Sequence, residues 1–210
     1  MVRRVIDIVV SILGLVLSLP VLLAIALGVR LSLGSPVLFR QVRAGRDGRP
    51  FTIYKFRSMR NPSDPTGLDT DDELRLTTFG RFLRSTSLDE LPELVNIIKG
   101  DMSLVGPRPL LPEYVERYTP QQARRLEVRP GLTGYAQVNG RNALSWEDRF
   151  TLDVYYVDHQ SLRLDLRILA STLVHVLRRD GISAEGYTTC PVFLGTSAPE
   201  PSSEKSIRSG

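Results

Sequence analysis

Residues 8–29 form a run of 22 positions without a charge, preceded by Arg3 and Arg4 and followed by Arg30, Arg40, Arg43, Arg46 and Arg49. A helix of that length spans a hydrocarbon core. Three arrangements fit the pattern. One is a cleaved signal peptide, with Arg3 and Arg4 as its basic region and Ala24-Ile25-Ala26 resembling a cleavage site, although the run is longer than the usual signal core. The second is a single span, and the third is a re-entrant helix that enters and leaves on one face. Basic flanks favour the cytoplasmic side, so a span would place one of the two on the wrong side. Pro20, near the middle, removes a helical hydrogen bond and clashes with the preceding turn, which predicts a kink or a break. Ser18 is placed to satisfy a freed backbone group beside it. A kinked span and a hairpin of two half-helices both satisfy these constraints.

Beyond residue 33 the pattern shortens. Residues 37–43 and 51–57 carry β-branched and aromatic side chains around Gly45-Arg46-Asp47-Gly48, which predicts a β-hairpin. Residues 61–73, with two prolines, a glycine and five acidic residues, read as a loop. Residues 78–84 form a short helix. In 88–99, Leu91, Leu94, Val95 and Ile98 recur at i, i+3, i+4 and i+7 and make one apolar face. Ser87 and Glu90 have capping-box spacing at its start, and Gly100 stands at the C-terminal cap, while Pro92 fits the second turn poorly. Gly131, Gly134 and Gly140 punctuate a connection over 129–141, and 145–158 and 162–179 are helical. Leu166, Leu169, Leu173, Val176 and Leu177 mark the last as an amphipathic core helix, with an interfacial membrane helix as the alternative. Residues 196–210, rich in Ser, Pro and Glu, predict a disordered tail.

Composition narrows this little. Lys and Arg total 27 against 23 Asp and Glu, a net +4 that suits nucleic acid, anionic lipid or a phosphorylated substrate alike. Nearly all the basic residues are Arg, the better fork for phosphate, though a GC-rich genome gives the same bias. Cys190, the only cysteine, excludes an intrachain disulfide.

Candidate chemistry gathers at Asp89 and Glu90, adjacent carboxylates expected in the first turn of a helix. Acidic residues are common there because they favour the positive end of the helix dipole. The same place suits a nucleophilic aspartate able to attack phosphorus, with phosphates nearby. Two carboxylates beside a diphosphate also suit magnesium. Lys55, Arg57, Arg84, Arg108 (held between Pro107 and Pro109) and Arg141 are candidate phosphate or nucleotide ligands, although each taken singly is more commonly a solvated charge. His159 and His175 lack metal-ligand spacing, Cys190 is a bystander, and no Walker A or Gly-x-Gly-x-x-Gly pattern occurs.

Four motifs together carry a resemblance. They are Tyr54-Lys55-Phe56-Arg57-Ser58-Met59; Arg84-Ser85-Thr86-Ser87-Leu88-Asp89-Glu90-Leu91-Pro92-Glu93-Leu94; Lys99-Gly100-Asp101-Met102-Ser103-Leu104-Val105-Gly106-Pro107-Arg108-Pro109; and Arg129-Pro130-Gly131-Leu132-Thr133-Gly134 with Gln137-Val138-Asn139-Gly140-Arg141. This ordered set resembles the bacterial sugar transferases known as small monotopic polyprenol-phosphate phosphoglycosyl transferases. The resemblance implies transfer of a phosphosugar from a UDP-sugar to undecaprenyl phosphate, with release of UMP and a covalent aspartyl intermediate. It implies Asp89 as nucleophile and metal ligand, Glu90 as its partner, Mg2+ as cofactor, and Lys55, Arg84, Arg108 and Arg141 as site-lining cations. It also implies a re-entrant N-terminal helix. The family commonly has Ser directly before the helix-breaking Pro; here Leu19 separates Ser18 from Pro20. Larger relatives carry further spans ahead of this core, so the chain is expected to be the minimal form.

The expected fold is α+β: a mostly helical cytosolic domain with a short β-hairpin, attached to an N-terminal re-entrant membrane helix-hairpin. The expected parts are the membrane helix (1–33), a catalytic domain (34–195) and the tail (196–210), at the cytoplasmic face of a bacterial inner membrane. The expected partners are a UDP-sugar, undecaprenyl phosphate and the bilayer, not nucleic acid. The expected role is to initiate glycan or exopolysaccharide assembly on a lipid carrier, and the alternative is a non-catalytic membrane-anchored scaffold in polysaccharide assembly.

Overall fold

A computed structural model describes residues 2–60, 75–140, 144–178 and 192–195. The expected loop at 61–73 and the tail at 196–210 lie outside the described residues, as do Arg141 and Cys190.

The apolar run folds as one long helix, α1 (Val2–Leu33), long and apolar enough to cross a membrane by length and composition. Its helical assignment continues through Pro20 and does not stop there. A proline deletes one backbone bond, and the turns on either side keep theirs. Ser18 Oγ points back to Leu15 O at 3.5 Å.

Both ends of α1 are bound to the same body. At its start Arg3 pairs with Asp165 at 2.8 Å, and Arg4 donates to Ile97 O and Ile98 O. Asp7, buried, accepts from Ser103 Oγ and Leu104 N. Toward its end Ile25 and Val29 pack with Phe56 and Leu83. A Cβ on Gly28 would come within 2.6 Å of the Phe79 ring, so glycine permits that approach. The opposite face, including Val9, Leu13, Val16, Leu17, Leu23, Leu27 and Leu31, is apolar and exposed. An exposed apolar face of this extent needs a non-aqueous neighbour.

The predicted hairpin forms: β1 (Leu38–Ala44) pairs antiparallel with β2 (Pro50–Phe56), with Phe39 opposite Lys55. The turn between them is a 3-10 segment, Arg46–Gly48, in which Asp47 takes φ 57°. Helix α2 (Thr78–Ser85) follows, capped by Thr77 Oγ1 accepting from Gly80 N. The expected helix over 88–99 is instead two pieces, a 3-10 turn at Leu88–Glu90 and helix α3 (Glu93–Lys99). Pro92 has no N–H to extend a helix from 88 and becomes the position before α3. The capping box is absent: Ser87 lies at φ 56°, in the left-handed region, with no side-chain cap bond. Gly100 closes α3 at φ 96° as expected.

Two short parallel strands, β3 (Ser103–Val105) and β4 (Gly131–Thr133), were not foreseen. Between them lie a 3-10 segment, Pro112–Arg117, a short helix α4 (Pro120–Ala123) and a second 3-10 turn, Arg124–Glu127. After β4 come α5 (Tyr135–Val138), α6 (Trp146–His159) and α7 (Leu162–Arg178). The main core joins Ile53, Leu94, Ile97, Met102, Leu104, Val105, Tyr156 and Ile168. A separate aromatic nest holds Tyr114, Trp146, Phe150 and Phe193. In α7 Leu169, on the expected apolar face, packs against the core beside the buried Ile168, while Leu166 and Leu173 are 67% and 60% exposed, so only part of that face meets the core.

Candidate active site

Three segments converge on the acidic pair. The first is β2, which carries Lys55. Asn96 on α3, fully buried, fixes β2 by donating to Thr52 O at 2.7 Å and accepting from Tyr54 N at 3.2 Å. This brings the Lys55 ammonium to 2.6 Å from Glu90 Oε1 and 3.0 Å from Glu93 Oε1. The second is the 3-10 turn with Asp89 and Glu90, entered through the left-handed Ser87. A non-glycine residue in that region is strained by roughly 1–3 kcal/mol, a cost concentrated at functional sites. The third is the loop after β3, where Arg108 Nη2 reaches Glu90 Oε1 at 2.8 Å.

The glycines of the third and fourth motifs hold that loop. Gly106 N donates to Thr133 O, and Gly131 N donates to Pro107 O. A Cβ on Gly131 would meet Gly106 N at 2.1 Å, and one on Gly134 would meet Gly106 O at 2.1 Å. Only bare backbones fit at that separation.

The two adjacent carboxylates have opposite surroundings. Burial favours the neutral form of Glu90, but Lys55 and Arg108 outweigh it and hold the group well below the usual carboxylate range. Asp89 is 8% exposed, and its Oδ1 is buried without a hydrogen-bond partner. Burial pushes the Asp89 carboxyl up, Glu90 adds to the effect, and Lys55, Arg84 and Arg108 oppose it, leaving it at about 6. Glu90 is thus an ionised anion with one oxygen held by two cations, and Asp89 is a poised one whose Oδ1 has no hydrogen bond. Such a divergence between neighbouring acids marks a site with divided roles.

The structure brings Lys55, Arg84, Asp89, Glu90 and Arg108 together. It does not bring Arg57: that guanidinium is buried and donates to Leu33 O and Ser35 O, which ties down the end of α1. Arg141 lies outside the described residues. Asp89 sits in a separate 3-10 turn ahead of α3 and not, as expected, in the first turn of a helix over 88–99. Three further groups belong to the cluster. Glu93 is buried and pushed up to about 7, mainly by burial, against the pull of Lys55. Arg43 is lowered by burial and by Arg108. Asn96 supports the geometry. The sequence signal for Glu93 and Asn96 was a polar residue inside an otherwise apolar helix.

Among the described residues no group of three or more His, Cys, Asp or Glu side chains is arranged to hold a metal. The nitrogens of His159 and His175 turn back to the carbonyls of Tyr155 and Ser171 on their own helices. A cavity of about 390 Å³ lies elsewhere, between Arg3, Arg4, Arg129 and Leu166. Three of its arginines are engaged, Arg3 with Asp165, Arg4 with Ile97 O and Ile98 O, and Arg129 with Gly100 O, while Arg46 is half exposed and 3.7 Å from Asp47. None of the acidic cluster lines it.

Residues 1–179 match the family model described as bacterial sugar transferase. The chain is 55% identical over 179 residues to an uncharacterized sugar transferase, EpsL, of Bacillus subtilis strain 168, covering 85% of this chain and 88% of that protein. It is 40% identical to an undecaprenyl-phosphate galactose phosphotransferase of Salmonella typhimurium, over 85% of this chain and 41% of that protein. It is 42% identical to a UDP-glucose:undecaprenyl-phosphate glucose-1-phosphate transferase of Klebsiella pneumoniae, over 81% of this chain and 39% of that protein. The chain therefore spans most of the first relative and about two fifths of the other two.

Proposed function

The chain belongs to the bacterial sugar transferase family, and from that membership we propose that it moves a phosphosugar from a UDP-sugar to undecaprenyl phosphate through a covalent intermediate on Asp89. The observation that carries this reading is the buried, unpartnered Asp89 Oδ1 beside a Glu90 already held by two cations. An ionised oxygen with no competing hydrogen bond is a nucleophile that needs no reorganisation before attack.

In the first step an Asp89 carboxylate oxygen bonds to the sugar-linked phosphorus. The bond from that phosphorus to the bridging oxygen breaks, and UMP leaves with the electron pair. In the second step a phosphate oxygen of the lipid attacks the same phosphorus and the aspartyl–phosphorus bond breaks, which restores the carboxylate. No net proton is consumed in either step. Lys55, Arg84 and Arg108 stabilise the charge that accumulates on the leaving UMP. Glu90 keeps Lys55 and Arg108 in place. The Asp89 carboxylate would also suit Mg2+ through the oxygen that does not attack, since that ion takes one or two protein carboxylates and completes its shell with water and substrate phosphate. Asp89 would hold the ion, whose contribution is to neutralise diphosphate charge.

The membrane arrangement follows the same reading. α1 is re-entrant, the bilayer meets its exposed apolar face, and the catalytic body lies at the cytoplasmic face of the inner membrane. Support comes from the attachment of both ends of α1 to one body, through Arg3, Arg4 and Asp7 at the start and Ile25 and Val29 toward the end. The product would begin glycan assembly on the lipid carrier.

The test uses the full chain in detergent or vesicles with undecaprenyl phosphate and a panel of labelled UDP-sugars. Label should pass to the lipid with at least one donor. Failure with every donor, in a folded protein, would return the chain to the scaffold reading. Cysteines placed at Val2 and Lys205 should both be shielded from an impermeant reagent in intact cells; labelling of one alone means a span.

A further inference from the structure

We infer that the buried pair Arg125–Asp153 is a positioning device for Arg108, setting the place from which that guanidinium meets the donor phosphates. The inference rests on the proposed role of Arg108 above.

Arg125 is 3% exposed and Asp153 2% exposed. Arg125 Nε and Nη2 both donate to Asp153 Oδ2, at 3.0 and 2.8 Å. Nη2 also donates to the backbone carbonyl of Arg108 at 2.7 Å, and Nη1 donates to the Tyr118 hydroxyl at 3.2 Å. The guanidinium lies over the rings of Tyr118 and Phe150. Every nitrogen of Arg125 is therefore used, and one bond ends on the main chain of a site residue.

That bond completes a set of constraints on Arg108. Pro107 and Pro109 fix the torsions on either side. Pro107 O is held by Gly131 N at 3.0 Å. With the carbonyl of Arg108 clamped as well, the main chain has no freedom left there. The side chain leaves this fixed point, reaches Glu90 at 2.8 Å and remains 44% exposed, so part of its guanidinium faces outward for a ligand.

A buried ion pair is a poor device for stability alone, because desolvation offsets its attraction and an apolar pair of similar volume serves as well or better. A planar fork that reaches two acceptors from one rigid group is, however, an effective device for position. Asp153 comes from α6, far along the chain, so the packing of that helix is transmitted to the site through one guanidinium.

Arg125→Lys keeps a positive charge for Asp153 and replaces the fork with a single ammonium. The rate of donor-dependent UMP release should fall about 10- to 100-fold, the scale of a misplacement near 1 Å. The deciding measurement is the same substitution in an Arg108→Ala background, which removes the positioned cation and keeps the main-chain carbonyl that Arg125 binds. If the pair acts through Arg108, the second loss shrinks to less than about twofold, because residues coupled through one contact are not additive. Thermal melting of each variant checks folding, and Asp153→Asn replaces Arg125→Lys in the cycle if the latter does not fold. Equal losses in both backgrounds overturn the inference and leave the pair a structural contact. Wild-type activity in Arg108→Ala alone overturns the role of Arg108 first, and the inference with it.

Discussion

Two buried clusters of acids and bases among the described residues are opposites. Around Arg125 and Asp153 every guanidinium nitrogen has an acceptor and aromatic rings close the remaining faces. Around Lys55 three carboxylates lie among Lys55, Arg84 and Arg108, yet Asp89 Oδ1 has no hydrogen bond, and Glu93 Oε1 lies 3.0 Å from the ammonium without the alignment of one. The first cluster is saturated and fixes geometry. The second is left short of partners, so its charge is available to a substrate. Burial alone does not distinguish scaffold from reactive group; the count of unmet hydrogen bonds does.

The contrast is broken most severely at Asp89. Asp89→Asn removes the attacking charge and keeps the shape, so transfer should fall by about 10³-fold or more, as for loss of a covalent nucleophile. A steady-state assay with labelled donor checks this. A loss of less than about tenfold would place Asp89 outside the bond-making step.

Stability should respond in opposite directions at the two clusters. Asp153→Ala strands a buried guanidinium and should destabilise the fold by about 3–5 kcal/mol in urea titration. Asp89→Asn should stabilise it by about 1–3 kcal/mol at neutral pH, the free-energy equivalent of the rise from 3.8 to about 6. The sign follows from the direction of the shift. The Asp89 carboxyl is raised from 3.8 to about 6, so holding it ionised in the folded chain carries a cost that is full above pH 6 and absent below about 4. The gain from Asp89→Asn should therefore shrink as pH falls through that window. A gain that grows toward low pH would contradict the assignment. The smallest effect is on activity near neutrality: the rate should fall as pH drops through about 6, where the nucleophile takes up a proton, and change little between pH 7 and 8.

Much of the frame was legible in the sequence because it rests on periodic patterns. The hairpin strands, α2 and α6 fall within one or two residues of their expected bounds, and α7 starts at Leu162 as expected and is helical through the last described residue of that stretch, Arg178. Strands β3 and β4 are three residues each, too short for alternation to show. The left-handed Ser87 was hidden because serine is not a residue whose presence implies positive φ. Arg124 and Arg125 are adjacent and identical in type, yet Arg124 pairs with an exposed Asp158 and Arg125 is enclosed with Asp153. Only the tertiary packing separates them. The site motifs identified Asp89, Glu90, Lys55, Arg84 and Arg108 as a set, whereas Arg57, in the same motif as Lys55, turns to the end of α1. Strand alternation would put Lys55 and Arg57 on one face, but Arg57 lies one residue beyond β2 and its guanidinium follows the end of α1 instead.

The covalent role of Asp89 is tested most directly by mixing the enzyme with its UDP-sugar donor and no lipid acceptor, then counting UMP against enzyme. Wild type should release about one equivalent in a burst and stop, because the phosphosugar remains on Asp89. Asp89→Asn should release none. UMP that appears only after undecaprenyl phosphate is added would mean direct transfer between the two substrates, and Asp89 would then serve as a base or metal ligand.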